Sequence, residues 1–461
     1  MWSPNLLNID GPIYEKIATA LERDIRAGLL GGGSRLPTLK ELAAALGVTP
    51  GTVNRAYELA QRRGLVDGEV GRGTFVRDPA LDKPSSPLPP AVEHNNEYLD
   101  LSIVKPNLQL QESYVRSALL ALAYSPCLPD MLDYTPDGGH PLHRQAGAAW
   151  MHLAGLPARA EQVLLTAGAQ HGLWVAVNAL TRPGDLVLCE SLCYPGVASV
   201  VHSLGRRLKG VPLDHEGMNP DCLRAQCEQE KPTMTICIAT CQNPTASVMS
   251  AARRRQIADI AREFDFVLVD DDLYGFLAPT PLPPLASFAP ERTLYLTSLS
   301  KSVLSTVRMG YVYAPPEWLA QLAASVRTSI WMVSPLAAQL ATHLITTGQA
   351  QELSTAQRDE ARVRQLMARE LLGEFEYRAL PTGFHLWLKL PPGWTSGDQF
   401  ATLARGHQIL VASGDTFSIN RDGEGRQHVR IALMASTREH MRFVLTKLAG
   451  LLRTTPDALW L

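Results

Sequence analysis

One lysine follows an apolar, strand-like run, and its neighbours limit the folds that this chain can adopt. Residues 294–296 predict a strand, and Ser298, Ser300 and Lys301 come directly after it, with Arg308 seven residues further on. A lysine at a strand end can form a Schiff base with a carbonyl cofactor, and the hydroxyls and the arginine are placed to bind a phosphate. A solvated loop lysine would fit these residues taken alone, so the interpretation depends on the rest of the chain.

Two more apolar runs end in polar side chains of a complementary kind. Residues 268–269 lead into a run of aspartates that includes Asp271, with Tyr274 three residues on, and residues 234–239 lead to Asn243 before a proline. Pyridoxal phosphate needs a carboxylate at its ring nitrogen, because a protonated ring is the better electron sink. A tyrosine and an amide would suit its ring hydroxyl. Taken singly, an aspartate run is usually a cap or a loop, and Asn-Pro is usually a turn.

Small residues open a predicted helix in a fourth segment. Residues 163–165 predict a strand, after which Gly168, Ala169 and Gln170 begin an apolar helix. Small residues at a helix start allow backbone N–H groups to reach a phosphate. Tyr194, before a proline and after another apolar run, offers a ring that could stack on a cofactor, although this pair is also common in ordinary turns.

In order and spacing, these segments resemble the fold-type I, class I/II aminotransferases over roughly residues 100 to 453. The resemblance implies an α/β fold with a large sheet domain, a smaller C-terminal α/β domain, and pyridoxal 5'-phosphate as cofactor. It implies that Lys301 bonds to the cofactor, that Asp271 faces the ring nitrogen, and that Asn243 and Tyr274 meet the ring hydroxyl. The remaining cofactor-binding residues would be Tyr194 on the ring face, with Ser298, Ser300, Arg308, Gly168, Ala169 and Gln170 at or beside the phosphate.

The same resemblance assigns two further residues. Arg430 would bind the α-carboxylate of an amino acid, which its two-pronged guanidinium suits. Tyr134 resembles the tyrosine that reaches a phosphate across a dimer interface, which predicts a homodimer. Two departures bear on turn geometry: Ala246 stands where the family usually has glycine, and His143 stands where Leu-Arg is usual.

The N-terminal segment has a different character. Residues 11–77 predict three helices and a two-stranded wing. Thr38 is placed to cap the second helix in a capping box with Glu41, and Gly47 supplies the following turn. Thr49 is placed to cap the third helix, whose first residue is a proline. The pattern predicts a winged helix-turn-helix. The second helix of this motif, which is the third of the three predicted helices, would lie in the major groove.

Each of these pieces alone would also suit a dimerisation arm, but the full run is similar to the GntR-type winged helix-turn-helix. Such a domain before an aminotransferase-like domain is typical of MocR-type transcriptional regulators, which implies binding to double-stranded operator DNA. Pro50 and Gly51 replace residues that are often more polar in this family, which leaves fewer side chains to read bases. The implied DNA contacts are Arg35, Lys40, Thr49, Thr52, Asn54 and Arg55, with Arg72 reaching a minor groove.

Composition agrees with this organisation. The 461-residue chain is 46% hydrophobic, and its formal net charge is −2. Residues 1–77 carry ten Lys or Arg against eight Asp or Glu, a net charge of +2. We predict a DNA-binding domain over residues 8–77, a proline-rich linker over 78–95 and the aminotransferase-like domain over 96–461.

The seven cysteines form no C-x-x-C motif. The spacing of Cys189 with Cys193 and of Cys237 with Cys241 could suggest a metal, but no histidine completes a ligand set, so no metal is predicted. Buried reduced thiols fit better. No secretion signal and no apolar run near the ~20 residues of a membrane span are evident, which predicts a cytoplasmic protein without membrane contact.

Two function classes remain. In the first, a transcription factor uses its aminotransferase-type domain to sense an amino acid or a B6 vitamer. In the second, the chain is a working amino-acid aminotransferase with an accessory DNA-binding domain. The complete winged helix favours the first class, although the intact catalytic set leaves residual transamination open.

Overall fold

The computed structural model describes residues 2, 4–6, 11–26, 29–30, 34–62, 65–69, 73–76, 98–420 and 423–454. The chain divides into two compact units, residues 1–86 and 87–461. The predicted linker over 78–95 and the predicted wing residue Arg72 lie outside the described residues.

Three helices and a hairpin build the first unit. The hairpin strands pair antiparallel with Val66 opposite Val76, and the backbone of Leu36 donates to Thr74 O beside them. The helices bury one face each in a shared apolar core that includes Ile17, Leu21 and Val53. The elements are α1 (Ile13–Arg26), α2 (Leu39–Leu46), α3 (Pro50–Arg62), β1 (Val66–Glu69) and β2 (Gly73–Val76).

The predicted caps of this unit are confirmed. Thr38 and Glu41 form both hydrogen bonds of a capping box at the start of α2. Gly47 ends that helix with φ 65°, a left-handed conformation that glycine adopts without the steric cost of a Cβ. The Thr49 hydroxyl accepts from the backbone N–H of Thr52 at 3.3 Å, as an N-cap does.

A seven-stranded sheet forms the centre of the second unit. Its strand order is β4-β12-β11-β10-β9-β5-β6, and only β12 runs antiparallel to its neighbours in this described sheet. The strands are almost wholly buried because helices cover them, as expected for a mainly parallel sheet. They are β4 (Val163–Thr166), β5 (Leu186–Glu190), β6 (Arg207–Val211), β9 (Met234–Cys237), β10 (Val267–Asp271), β11 (Thr293–Ser298) and β12 (Gly310–Tyr313).

A four-stranded antiparallel sheet of order β13-β14-β17-β16 forms the smaller part of this unit, beside two short strand pairs. One of these pairs joins β3, near the start of the unit, in parallel to β15. The strands are β3 (Leu99–Asp100), β7 (Leu213–Asp214), β8 (Gly217–Met218), β13 (Tyr377–Arg378), β14 (His385–Lys389), β15 (Ile409–Leu410), β16 (Ala412–Ser413) and β17 (His428–Ala432).

Twelve helices are described in the second unit. They are α4 (Glu112–Ala123), α5 (Pro141–Leu153), α6 (Ala169–Leu180), α7 (Pro195–Ser203), α8 (Pro220–Glu230), α9 (Ala251–Glu263), α10 (Leu299–Ser302), α11 (Pro316–Ile330), α12 (Pro335–Thr346), α13 (Gln349–Leu372), α14 (Gly397–Gly406) and α15 (Arg438–Arg453). In the described parts of the chain, none of the helices has the length and apolar character that crossing a membrane requires.

The parallel strands bring the predicted motifs together at one edge of the sheet. The carboxyl ends of β9, β10 and β11 lie side by side, and each is followed by one of the polar segments recognised in the sequence. The helix that begins after β4 adds its N-terminus. This edge is where ligands bind in open α/β sheets.

Candidate functional site

The helix predicted to enter the major groove, α3, and the preceding helix α2 both expose polar residues. Lys40, Asn54 and Arg55 are exposed, and Thr52 is half-buried. Asn54 donates to Glu58 Oε1 at 2.7 Å, and the hydroxyls of Thr49 and Thr52 lie 2.9 Å apart. Arg55 and Lys40 therefore offer cationic side chains to solvent.

Arg35 occupies a different place from the helix residues. Its backbone bridges to Phe75, and its guanidinium packs on Gly73, where a Cβ would lie 3.1 Å from Nε. Gly73 has φ 117°, so a larger residue would be strained as well as crowded. Arg35 therefore contacts the wing strand β2 directly.

Lys301 lies in the short helix α10, one turn after the end of β11, and not in a loop. Its Nζ donates to the backbone carbonyl of Val104. Burial, with the nearby charges of Arg430 and Arg308, lowers the pKa of Lys301 to about 8. A lowered pKa makes the neutral, nucleophilic amine more abundant near neutral pH.

Asp271, the last residue of β10, is a buried carboxyl group without an obvious counter-charge. It is 6% exposed, and its Oδ1 has no hydrogen-bond partner among the described residues. Burial first, and then the neighbouring Asp272, raises the pKa of Asp271 to about 7. Burial also raises the pKa of Glu190 and of Asp270 to about 7, so this strand edge concentrates acidic groups.

The structure brings Asn243, Tyr274 and Arg430 into one buried group. Arg430 donates to Asn243 Oδ1 at 2.7 Å and to the carbonyl of Ser102, while its Nε has no partner among the described residues. Its guanidinium carbon lies 4.8 Å from the ring centre of Phe417. Burial lowers the pKa of Arg430 to about 10, whereas Tyr274 acts in the opposite direction.

A set of hydroxyls and an arginine lies at the other end of the site. Ser298 Oγ lies 2.9 Å from Ser300 Oγ, and Arg308 Nη1 donates to Ser300 Oγ at 3.4 Å. The Arg308 guanidinium packs on Gly168, where a Cβ would lie 2.8 Å from Nη2. Gly168 has φ 83° and precedes Ala169, the first residue of α6, so the glycine gives the arginine access to the helix start.

Tyr194 and Gln170 lie close together beside this group. Gln170 Nε2 donates to the carbonyl of Gly196 at 3.1 Å. A Cβ at Gly196 would come within 2.2 Å of the Tyr194 ring and 2.5 Å of Gln170 Oε1. Burial, and then the charge of Asp271, raises the pKa of Tyr194, which places its ring near that carboxyl group.

Tyr134 differs from the other predicted site residues because it is exposed. Its side chain is 73% accessible, and its ring meets Trp331 edge-on with the ring centres 6.0 Å apart. The predicted contact with a partner's phosphate stays a prediction.

The two departures in turn residues have a local explanation. Ala246 adopts φ 58°, in the left-handed region that favours glycine, so alanine here keeps the turn at some cost in backbone energy. His143 is buried in α5 and hydrogen-bonds to Gln339 Oε1 at 3.0 Å. Burial lowers the pKa of His143.

Three groups that contact or adjoin the site residues were not predicted from the sequence. The carbonyls of Ser102 and Val104 contact Arg430 and Lys301, and His385 of β14 is fully buried with its ring 6.2 Å from that of Tyr274. Burial lowers the pKa of His385 to about 3, so the ring is neutral. A histidine inside an apolar strand pattern is the signal that could have identified His385, whereas no side-chain pattern identifies a backbone carbonyl.

Comparison with known families decides how this arrangement is classified. Residues 105–448 match the family described as "Aminotransferase class I and II", and residues 13–76 match "Bacterial regulatory proteins, gntR family". The chain belongs to the class I and II aminotransferase family. It carries a GntR winged helix-turn-helix in front of that domain, so the predicted fold class and the MocR-type resemblance are confirmed.

Individual relatives combine the same two parts or share the second. An uncharacterized HTH-type transcriptional regulator of Bacillus subtilis, YdeF, is 28% identical over 94% of this chain and 93% of its own length. The pyridoxine biosynthesis transcriptional regulator PdxR of Corynebacterium glutamicum is 28% identical over 68% of each chain. LysN, an α-aminoadipate aminotransferase of Thermus thermophilus complexed with N-(5'-phosphopyridoxyl)-L-leucine, is 24% identical with a TM-score of 0.70, covering 77% of this chain and 92% of its own.

No group of three or more His, Cys, Asp or Glu side chains with metal-site geometry occurs in the portions of the chain that the structure describes. All seven cysteines are free, and Cys189, Cys193, Cys237 and Cys241 are buried.

Proposed function

We propose that this protein is a DNA-binding transcriptional regulator whose aminotransferase-type domain binds pyridoxal 5'-phosphate and senses an amino acid or a B6 vitamer. The observation that carries the proposal is the presence in one chain of a capped recognition helix and of a buried site that joins Lys301, Asp271 and Arg430. YdeF, which is named as a transcriptional regulator, aligns over both parts.

The residues of the site fit this cofactor. The unpartnered Oδ1 of Asp271 is an acceptor for a protonated ring nitrogen, whose positive charge would favour the ionised carboxylate. Gly168, Ala169, Ser298, Ser300 and Arg308 would hold the phosphate by backbone N–H groups, hydroxyls and a guanidinium. Tyr194, with Gln170 beside it, would lie on the ring face, and Asn243 and Tyr274 would contact the ring hydroxyl. Tyr134 would come from a partner subunit.

When bound, pyridoxal phosphate supplies an aldehyde that reacts with amines and a ring that accepts electrons. Lys301 contributes an amine that is partly neutral near pH 8. Asn243 has its oxygen committed to Arg430, so its amide N–H₂ is the part that can donate to a ligand.

Arg430 is the proposed receptor for an effector carboxylate. Its guanidinium already donates one N–H to Asn243 and one to Ser102, so three of its five N–H groups, that of Nε among them, are left for an incoming acid. An effector that binds one domain arrangement more tightly than another shifts their populations, and with them DNA affinity. A tenfold change in DNA affinity needs about 1.4 kcal/mol of differential binding.

The covalent attachment of the cofactor is tested at Lys301. We expect the purified protein to be yellow, and borohydride reduction to fix the cofactor to one peptide that contains Lys301. Lys301→Ala should lose this attachment yet keep reversible binding through the phosphate contacts. Lys209→Ala, which removes a lysine on β6 paired with Glu230, is the control and should label normally. Labelling of another lysine in the wild type would refute the assignment.

The sensing role is tested at Arg430. Arg430→Ala should retain the cofactor and operator binding but lose the change in DNA affinity that amino acids cause, because it removes the carboxylate receptor. Arg442→Ala, which removes an exposed arginine paired with Glu370 on α13, should respond like the wild type. Gel-shift titrations with and without amino acids measure the difference. An unaltered response in Arg430→Ala contradicts this role.

A second candidate function is a working aminotransferase with an accessory DNA-binding domain. It is favoured by the completeness of the lysine, aspartate and arginine set, which a pure sensor does not need in full. Steady multiple turnover with a common keto acid, together with DNA binding that ignores every amino acid and cofactor form, would establish this second function in place of the first.

A further inference from the structure

A second cavity lies beside the cofactor site and has a separate lining. Its volume is about 240 Å³, and it is bounded by residues of α5, of the segment after β10, of β11 and of α13. Among the residues proposed to hold the cofactor or the effector, Ser298 alone contributes to this lining. The cavity is therefore not the space between Lys301, Asp271 and Arg430.

Three polar atoms of the lining are buried without a hydrogen-bond partner among the described residues: Asp272 Oδ1, Ser302 Oγ and Arg358 Nε. Asp272 is 8% exposed and Ser302 is 1% exposed. Tyr295 donates to the other Asp272 oxygen, Oδ2, at 2.8 Å, which fixes the carboxylate and leaves Oδ1 available. Buried polar groups are nearly always paired, so these atoms indicate a ligand that pairs them.

The two charges of the cavity have no direct partners of opposite sign. Among the side chains that the structure describes, no ion pair includes Asp272 or Arg358. Arg254 acts on Asp272 at a distance, but its guanidinium is committed to Thr240 and to the carbonyls of Met249, Ala239 and Pro283. The cavity thus has one carboxyl group and one guanidinium that are not in ion pairs, and burial raises the pKa of the Asp272 carboxyl group, so a cationic ligand group beside it would favour its ionised form.

One part of the lining is apolar, with Trp150, Phe276 and Leu282 as its largest members, and the remainder carries hydroxyl and amide side chains such as Thr297 and Gln351. The volume is below the roughly 300–1,000 Å³ of pockets that hold drug-sized ligands, so the ligand is small. We propose that this cavity binds a small zwitterionic amino acid with an apolar side chain, its ammonium group at Asp272 and its carboxylate at Arg358.

The position of this second site links it to the first through the chain. Asp272 follows Asp271 directly, and Ser302 follows Lys301 within α10. A ligand held there would restrict both segments that carry the cofactor-binding groups. The proposal does not rest on the regulatory function, because binding in this cavity is measured without DNA.

The experiment is calorimetric titration of the full-length, cofactor-loaded Arg430→Ala protein with L-leucine. This background removes the proposed effector arginine, and binding that depends on Arg358 or Asp272 reports on the second cavity, because neither side chain is among those proposed to hold the cofactor. We expect one saturable site, with affinity reduced at least tenfold by a further Arg358→Gln or Asp272→Asn substitution. Arg362→Gln, which removes an exposed arginine on the same helix, is the matched control and should leave affinity unchanged.

Analogues define the chemistry of the ligand. Leucine amide, which lacks the carboxylate, and 4-methylpentanoate, which lacks the amine, should each bind at least tenfold more weakly than L-leucine. L-Glutamate should also bind more weakly, because its side-chain carboxylate would enter the apolar part of the cavity. A crystal structure of Arg430→Ala with L-leucine should place the ligand between Asp272 and Arg358.

Two results would overturn the proposal. One is the absence of saturable L-leucine binding to Arg430→Ala up to about 10 mM, a weak limit in binding free energy. The other is binding that Arg358→Gln leaves unchanged, or ligand density that lies outside this cavity. Circular dichroism of each variant ensures that a loss of binding is not a loss of folding.

Discussion

Burial of Asp271 in the folded protein costs free energy when its carboxyl group is ionised. Its pKa of about 7 lies far above its ordinary value of 3.8, so the folded chain binds a proton between these values that the unfolded chain releases. Such a group supports folding at low pH, and that support is lost as pH rises towards 7. A cationic ring nitrogen would remove the penalty by stabilising the charged form.

This gives a prediction for stability. Without cofactor, the wild type should lose stability relative to Asp271→Asn as pH rises from about 4 to about 7, with a slope of at most about 1.4 kcal/mol per pH unit. Urea unfolding at several pH values measures the difference. With cofactor bound, the wild type should be more stable than Asp271→Asn near neutral pH, because an asparagine side chain has no negative charge to balance a protonated ring nitrogen. Parallel stability curves for the two cofactor-free proteins would argue against the raised pKa.

At the same scale, the side chains of the site could be predicted from the sequence, but the backbone carbonyls that contact them could not. Lys301, Asp271, Asn243 and Arg430 could be recognised because each follows or lies in an apolar run, and parallel strands bring such ends together. The link from Arg430 to Ser102 depends on tertiary packing across 328 positions of the chain, which no local pattern specifies. The roles of these residues toward a ligand stay predictions.

At the scale of elements, the winged helix shows how far local signals reach. The caps of α2 and α3 were predictable because capping depends on residues within one turn. The start of α13 offers no such signal, because Gly348 precedes Gln349 without a side-chain cap. The neighbouring strands β15 and β16, separated by one residue, pair with different strands, β3 and β17. Long-range pairing decides such boundaries, so local pattern alone misses them.

The recognition helix gives a prediction about DNA. Arg55→Ala with Lys40→Ala should weaken operator binding, and the salt dependence should fall by about one unit for each phosphate that is no longer neutralised. A base interaction of Arg55 would instead cost about 1–3 kcal/mol at one position of the operator. Fluorescence anisotropy at several salt concentrations separates these effects.

Arg116→Ala is the control for this experiment, since Arg116 is an exposed arginine of α4 in the second unit, paired with Glu112. Operator binding by the double variant with wild-type affinity and salt dependence would rule out this docking surface. Asn54→Ala should have a smaller effect than Arg55→Ala, because Asn54 is already hydrogen-bonded to Glu58.

At the scale of the molecule, the second unit exposes several large apolar side chains, and Tyr134 is one of them. Trp331 is 61% exposed beside it. Exposed apolar surface of this kind usually marks an interface between proteins. The other large apolar residues described in the second unit that are more than half exposed are Leu108, Leu119, Leu120, Tyr124, Leu132, Leu142, Leu366 and Phe443.

We therefore predict a homodimer that buries this surface. Light scattering should give twice the chain mass of 50.3 kDa. Trp331→Glu should shift the protein towards monomer, because a buried carboxylate without a partner is costly. Tyr134→Phe should leave the dimer intact but weaken cofactor binding if its hydroxyl reaches the partner's phosphate. A wild-type monomer that carries cofactor would contradict the dimer.

The hydrogen bonds of Arg430 also set the concentration scale at which such a protein would respond. A carboxylate bound to both terminal nitrogens would compete with Asn243 and the Ser102 carbonyl, so part of the attraction that it gains would be offset by the hydrogen bonds that the guanidinium gives up. Such an exchange lowers net affinity without lowering selectivity for the acid group. The half-response concentration of the effector would then be higher, and its release faster, since most differences in affinity lie in the dissociation rate.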